Sequence, residues 1–209
     1  DIAKGLHDFT GVHRRFERLG TFHDIVVADD LNLSSISQVY KNGKLVCENG
    51  KALFECETVD NSKVTNTVHL PKISADFFKT DVKDKFDAIE LIPESIITKK
   101  VTVSYSDSLS KVCVIERHHN LGTKGIGFVT NYGITNGAIA TSIGHDSHNV
   151  IVIGDNDSDM ALAVNTLGTS GGIAVCSEGK VIASMTLDIA GLMSVKSADE
   201  VTREHDNLY

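Results

Sequence analysis

One five-residue segment, "HDSHN" at positions 145–149, holds the densest group of side chains suited to acid–base chemistry or ligand binding. Imidazole as a group can transfer protons near neutral pH, and carboxylate and amide groups can take part in hydrogen bonds. On an extended strand His145 and His148 would point to opposite faces, so they converge only if the chain turns between them, and an Asp-Ser pair favours such a turn. The residues alone leave two interpretations open: a loop whose side chains bond the local backbone, or a site that includes His145, Asp146, His148 and Asn149.

A second group of chemically active residues follows the strand-like run "KVCVI" and comprises Glu116, Arg117, His118 and His119. Adjacent histidines face opposite sides of an extended chain, so at most one of these two belongs to a site. A glutamate at the end of a strand more often pairs with a nearby cation than it serves chemistry. We predict no metal site from this chain, because a third protein ligand for His145 and His148 would have to arrive from elsewhere.

Two patterns resemble known ion or phosphate sites but fail in detail. Asp155, Asp157 and Asp159 have the spacing that opens a calcium-binding loop. Met160 stands where that loop needs glycine, and Thr166 stands where it needs glutamate. We therefore interpret the aspartates as the start of a helix, and "GTSGG", which lacks the lysine of a P-loop, as the cap and turn that follow it.

The elements that must position these residues are mostly strands. Apolar runs such as "KVCVI", "GIGFV", "AIAT" and "NVIVIG" are separated by Gly or Asn, and only "DNDSDMALAVNTLG" has the pattern of a substantial helix. A second, short helix is predicted at "IAGLMS". Asn42-Gly43 and Asn49-Gly50 predict two tight hairpin turns. The fold class is therefore α+β: a mixed, mainly antiparallel sheet with few packing helices, plus a small β-sandwich-like module.

Changes in composition divide the chain into five parts. We expect an N-terminal segment of uncertain origin at 1–20, the small β module at 21–60 and a polar linker at 61–72. The main domain is expected at 73–200, and a polar tail at 201–209.

The overall composition narrows the range of partners. The chain of 209 residues has a net charge of -8 and a pI near 5.5, which argues against a nucleic-acid or anionic-membrane partner. Its four cysteines are scattered without a Cys-x-x-Cys pair, which favours a reduced, cytoplasmic protein. No apolar stretch approaches the ~20 residues needed to cross a bilayer.

A long stretch carries a specific resemblance to a known family. "VIERHHNLGTKGIGFVTNYGITNGAIATSIGHDSHNVIVIGDNDSDMALAVNTL" resembles the C-terminal domain of bacterial adenine deaminases, members of the amidohydrolase superfamily. The resemblance continues through "GGIAVCSEGKVIASMTLDIAGLMS" and back to "DIVVADDLNLSSISQVYKNGKLVCENGK", which is similar to the β-sandwich segment that follows the barrel in that family.

The resemblance implies an activity, a cofactor and a partner. The family converts adenine and water to hypoxanthine and ammonia in purine salvage, with manganese or iron held in a barrel domain. We expect this chain to supply no metal ligand and to be inactive alone. His145, Asp146, His148 and Asn149 would form a loop facing the barrel's active site, supported by Glu116, Arg117 and His118. Because a missing barrel would leave apolar surface on the β module, we also expect a homo-oligomer.

Two other interpretations remain open at this point. The chain could be a purine- or protein-binding module that kept the fold without the chemistry. "HDFTGVHRRFERLG" and "DIVVADD" also show a short resemblance to the muramate-alanine ligases, ATP-dependent enzymes, over residues 1–30. That resemblance implies a nucleotide-binding fragment that uses Arg14 and Arg15.

Overall fold

The computed structural model describes residues 25–28, 36–55, 59–81, 84–105 and 109–208. Backbone contacts divide the chain into two compact units, one ending at Val59 and the other beginning at Asp60. The N-terminal segment 1–20, including Arg14 and Arg15, and most of the ligase-like stretch lie outside the described residues. No helix in the described ranges is long and apolar enough to span a membrane.

The first unit contains a four-stranded antiparallel sheet with its strands in chain order. The strands are β1 (Ile25–Ala28), β2 (Ile36–Lys41), β3 (Lys44–Glu48) and β4 (Lys51–Ala52). Both predicted hairpin turns are confirmed. Asn42 and Gly43 have φ of 50° and 74°, and Asn49 and Gly50 have φ of 48° and 76°, the positive values that a tight two-residue hairpin needs.

The second unit is built on an eight-stranded sheet with the order β12-β11-β9-β10-β7-β8-β5-β6. Its strands are β5 (Lys85–Leu91), β6 (Thr98–Ser104), β7 (Ser110–Ile115), β8 (Lys124–Thr130), β9 (Gly137–Thr141), β10 (Val150–Gly154), β11 (Gly172–Ser177) and β12 (Lys180–Thr186). β5 and β8 pair in parallel and the other neighbours pair antiparallel. The predicted α+β class, with a mixed but mainly antiparallel sheet, is confirmed.

A ten-residue helix packs against β9, β10 and β11 of this sheet. Helix α1 (Asp157–Thr166) begins after Asn156, whose side chain accepts a hydrogen bond from the Asp159 N–H at 2.8 Å. Met160 and Val164 lie fully buried in one cluster with Val152 of β10 and Phe78 of a 3₁₀ helix, Ala75–Phe78. Burying each such side chain contributes about 1.5–3 kcal/mol to folding, so this cluster anchors the strands around the candidate site.

Two segments outside the sheet, predicted as a linker and a polar tail, have buried residues or helical structure. Residues 61–72, expected as a linker, lie in the second unit. There Val68 is only 1% exposed, and its N–H donates to the Thr169 carbonyl. Much of the expected polar tail is helix α2 (Ala198–Asp206), which Ser197 and Glu200 cap reciprocally. The domain boundaries taken from the sequence stay predictions.

The short helix predicted at "IAGLMS" is wrong. Residues 189–193 form a turn instead, closed by an isolated bridge between Ile189 and Met193. Ala190 and Gly191 have φ of 55° and 69°, in the left-handed region, which a right-handed helix excludes.

Candidate functional site

The candidate loop, residues 144–149, connects β9 to β10. The chain turns at the position that the Asp-Ser pair indicated: the Ser147 N–H donates to the His145 carbonyl at 3.0 Å, and the His148 N–H donates to the Gly144 carbonyl at 2.7 Å. Asp146 and His148 have φ of 69° and 50°. Non-glycine residues seldom adopt such values, so the surrounding structure must stabilise the conformation of this loop.

The loop turns most of its polar side chains to the outside. The side chains of His145 and Asp146 are 98% and 90% exposed, and His145 Nδ1 lies 3.1 Å from Asp146 Oδ1. His148 is exposed as well. Asn149 is half-buried, and its buried Oδ1 accepts no hydrogen bond from the described part of the chain. No hydrogen bond among the described residues joins the two imidazoles, so the turn presents them separately.

Two of the three predicted supporting residues contact the loop directly. Arg117 is 3% exposed, and its Nε donates to the His148 carbonyl. Desolvation lowers the pKa of this guanidinium from its ordinary value. His118 Nε2 lies 3.0 Å from the Ser147 carbonyl oxygen. A carbonyl only accepts, so Nε2 carries the proton in this contact. The loop backbone is therefore held from two adjacent residues that follow β7.

The third predicted supporting residue, Glu116, organises the chain that carries the other two. Its Oε1 accepts from the His118 and His119 N–H groups at 2.5 and 2.8 Å, and its Oε2 accepts from the Leu121 N–H at 3.1 Å. Partial burial raises the pKa of this carboxyl, but the hydrogen bonds outweigh it and lower the pKa to about 2. Glu116 thus supports the candidate loop indirectly, through the turn from which His118 projects.

The described residues do not fit a metal site. No group of three or more His, Cys, Asp or Glu side chains is placed to hold an ion in the described ranges. The two adjacent histidines have separate partners, because His119 Nδ1 lies 3.4 Å from Glu116 Oε1 while His118 bonds the loop.

The three aspartates with calcium-loop spacing have structural roles. Asp155 accepts from the backbone N–H of Gly137 at 2.9 Å, and Asp157 pairs with Lys111. Asp159 is buried and accepts from the Glu178 and Gly179 N–H groups at 3.0 and 2.7 Å. Their interpretation as the start of a helix is confirmed.

Sequence reasoning missed one part of this region. Arg117 Nη2 also donates to the carbonyl of Ala190 at 3.0 Å, although the two residues are 73 positions apart. The buried Ser142, just after β9, donates to the Gly191 carbonyl at 2.5 Å. Neither contact has a local pattern that could have indicated it.

Comparison with known proteins gives the family of this chain. Residues 90–209 match the family model described as the adenine deaminase C-terminal domain. The chain is 39% identical over 199 residues to adenine deaminase 2 of Carboxydothermus hydrogenoformans, covering 89% of this chain and 35% of that relative. It is 39% identical over 206 residues to the adenine deaminase of Clostridium acetobutylicum, covering 90% and 36%, and 34% identical over 218 residues to that of Petrotoga mobilis, covering 98% and 37%.

The chain therefore spans about a third of the length of the curated relatives it matches. Its match to the family model covers more than half of its own residues, and the resemblance that the sequence showed is confirmed. This chain belongs to the adenine deaminase C-terminal domain family.

Proposed function

We propose that this chain acts as the C-terminal domain of an adenine deaminase and presents loop 144–149 to a catalytic domain that converts adenine and water to hypoxanthine and ammonia. One observation carries the proposal. The backbone of the loop is held by Arg117 and His118, while the side chains of His145 and Asp146 stay almost fully exposed. A rigid backbone that displays unpacked polar side chains is the arrangement expected of a loop that completes a site on another domain.

The loop offers the groups that adenine recognition and proton transfer require. A purine edge carries both donors and acceptors, which carboxylate, amide and imidazole groups can pair with. Asp146 beside His145 Nδ1 favours a proton on that nitrogen, which leaves the Nε2 lone pair available as a hydrogen-bond or proton acceptor. We assign orientation of adenine or proton transfer to His145, Asp146, His148 and Asn149, and support of the loop to Glu116, Arg117 and His118.

The family resemblance supplies the rest of the proposal. It implies a barrel domain that holds manganese or iron. In this proposal the metal ligands all come from that barrel, and none comes from the described residues of this chain. The resemblance also implies adenine as the substrate and a role in purine salvage, while the expected homo-oligomer rests on apolar surface of the β module. Cys47, Cys113 and Cys176 are free thiols, which supports a location in the reducing cytoplasm.

A chimeric enzyme tests the proposed function. This chain would replace the matching region of the Clostridium acetobutylicum adenine deaminase, and hypoxanthine formation from adenine would be measured. We expect an active chimera in which H145A and H148A each lower kcat/KM by about 10²-fold, the scale of a lost proton-transfer group. The 209-residue chain alone, with Mn²⁺ or Fe²⁺ added, is expected to be inactive.

H119A is the matched control, because this neighbouring imidazole contacts Glu116 and not the loop. We expect it to keep the turnover of the unsubstituted chimera. Full turnover in both H145A and H148A would contradict the role of the loop. A folded but inactive chimera, beside an active parent enzyme, would contradict the proposed function as a whole.

A further inference from the structure

We propose that the turn Ile189–Met193 forms a second wall of the surface that carries loop 144–149, and that Arg117 is the positioning residue that sets the two segments relative to each other. The chemical meaning of this wall rests on the proposed function. The connection that Arg117 makes between the loop and the turn does not depend on the proposed function, so it can be tested by itself.

The link consists of one side chain with two backbone acceptors. Arg117 Nε donates to the His148 carbonyl, and Nη2 of the same guanidinium donates to the Ala190 carbonyl at 3.0 Å. The guanidinium is planar and rigid, so two acceptors bound to it are kept at a defined spacing. Hydrogen bonds from a charged donor are also stronger than neutral ones. Residues 42 positions apart in sequence are thereby placed in a fixed relation.

Both acceptors belong to strained backbone positions. His148 and Ala190 have φ of 50° and 55°, values that cost energy for any residue with a Cβ atom. Strain of this kind persists only where surrounding contacts compensate for it, and it clusters at functional sites. The same guanidinium supplies a compensating contact at both positions, so we expect the two conformations to depend on Arg117 together.

Burial of the Arg117 side chain costs hydration free energy, so its two hydrogen bonds must offset that loss. The side chain is 3% exposed, and no acidic partner pairs with it among the described residues. Its buried Nη1 lacks a hydrogen-bond partner within the same ranges. A buried cation without a counter-ion destabilises a fold unless its hydrogen bonds offset the loss of hydration. Here those offsetting hydrogen bonds go to the His148 carbonyl of the loop and the Ala190 carbonyl of the turn.

A second contact ties the turn to the start of the same loop region. Ser142 Oγ donates to the Gly191 carbonyl at 2.5 Å and accepts from the Gly172 N–H at 2.7 Å. Gly191 is also packed against Arg117, because a Cβ added there would clash with the guanidinium. At the end of the turn, the Met193 side chain is 59% exposed. This turn thus displays an apolar side chain, and loop 144–149 displays polar ones; ligand sites commonly combine the two kinds.

Hydrogen–deuterium exchange of the 209-residue chain tests the link. We expect R117K, which keeps the charge but loses the planar fork, to speed exchange about tenfold in both loop 144–149 and turn 189–193. The amides of α1 should be unchanged. Faster exchange in only one of the two segments, or in neither, would overturn the link.

G191A keeps the test decisive if R117K unfolds the chain. The added methyl group displaces the turn from Arg117, so we expect faster exchange at the His148 amide in the loop as well as in the turn. S142A is the matched control: it removes the contacts with Gly191 and Gly172 and leaves Arg117 in place, so exchange should be faster in the turn and at the Gly172 amide but unchanged in loop 144–149. A G191A effect confined to the turn would overturn the proposal.

Turnover of the chimera tests the second wall. We expect G191A to lower kcat/KM about tenfold there, since misplacement of a positioning group is costly even without a lost side chain. Coupled exchange with unchanged kcat/KM would overturn the assignment of the wall. The two hypotheses fail separately: a folded but inactive chimera rejects the proposed function, and full turnover in both H145A and H148A rejects the role of the loop in it, whereas uncoupled exchange in G191A rejects this inference.

Discussion

At the residue scale, Glu116 determines the local geometry of the chain that holds the candidate loop. Its carboxylate accepts three backbone N–H groups, and the pKa is lowered to about 2 from the ordinary value of 4.5. Because the pKa is lower in the folded state, the ionised carboxylate stabilises the fold above about pH 4.5. That stabilisation is lost as the pH falls from about 4.5 towards about 2.

We expect E116Q to lower the urea midpoint of unfolding at neutral pH, because the uncharged amide keeps only one acceptor oxygen and its NH2 group cannot accept from the N–H groups that bond the other carboxylate oxygen. The difference from wild type should shrink as the pH is lowered below about 4.5. E178Q, at an exposed turn position, is the control and should unfold like wild type throughout. A difference that stays constant down to the acid limit would contradict this account of Glu116.

At the element scale, one side-chain amide joins helix α1 to the segment before the 3₁₀ helix. Asn165 Nδ2 donates to the Ile73 carbonyl at 2.7 Å, and its Oδ1 accepts from the Ile73 N–H at 3.0 Å. Ile73 is itself buried in the core cluster. N165A would leave both backbone groups without partners, at a cost of about 1–3 kcal/mol in the free energy of unfolding.

Denaturant unfolding of N165A measures this loss. S158A provides a matched substitution at an exposed position of the same helix, and it should change the free energy of unfolding by less than about 0.5 kcal/mol. Equal stability of N165A and S158A would show that the amide does not dock this segment.

At the scale of the whole molecule, exposed apolar residues on the first unit predict self-association. Ile25 and Val26 are 50% and 56% exposed on β1, which lies at one end of the strand order of its sheet. An exposed apolar strand at a sheet edge is a surface on which another chain can pair. We expect the chain to form oligomers in sedimentation velocity runs as its concentration rises.

A charge on this strand should weaken that association. V26K is expected to raise the dissociation constant at least about tenfold, because a lysine on an edge strand opposes pairing. V26T keeps the branched shape without a charge, so it should associate more nearly like wild type. A chain that stays monomeric at every concentration would contradict the prediction.

Local patterns were sufficient for the elements whose defining contacts lie within a few positions. Helix α1 has its cap, Asn156, three residues before the amide that it binds, and the Asn-Gly turns carry their positive φ in two adjacent residues. Helix α2 was missed although its pattern is equally local: Ser197 and Glu200 form a capping box that the sequence displays. These features follow from short-range sterics and hydrogen bonding, which residue type and spacing determine.

The sequence by itself determined the family, the fold class and the polar content of loop 144–149, because residue identities and their local order carry all three. Only the tertiary structure decided how that loop is held. The contact from Arg117 to Ala190 spans 73 positions, and the turn at 189–193 replaces a predicted helix. Such contacts depend on which strands become neighbours in the sheet, and no pattern of nearby residues specifies that order.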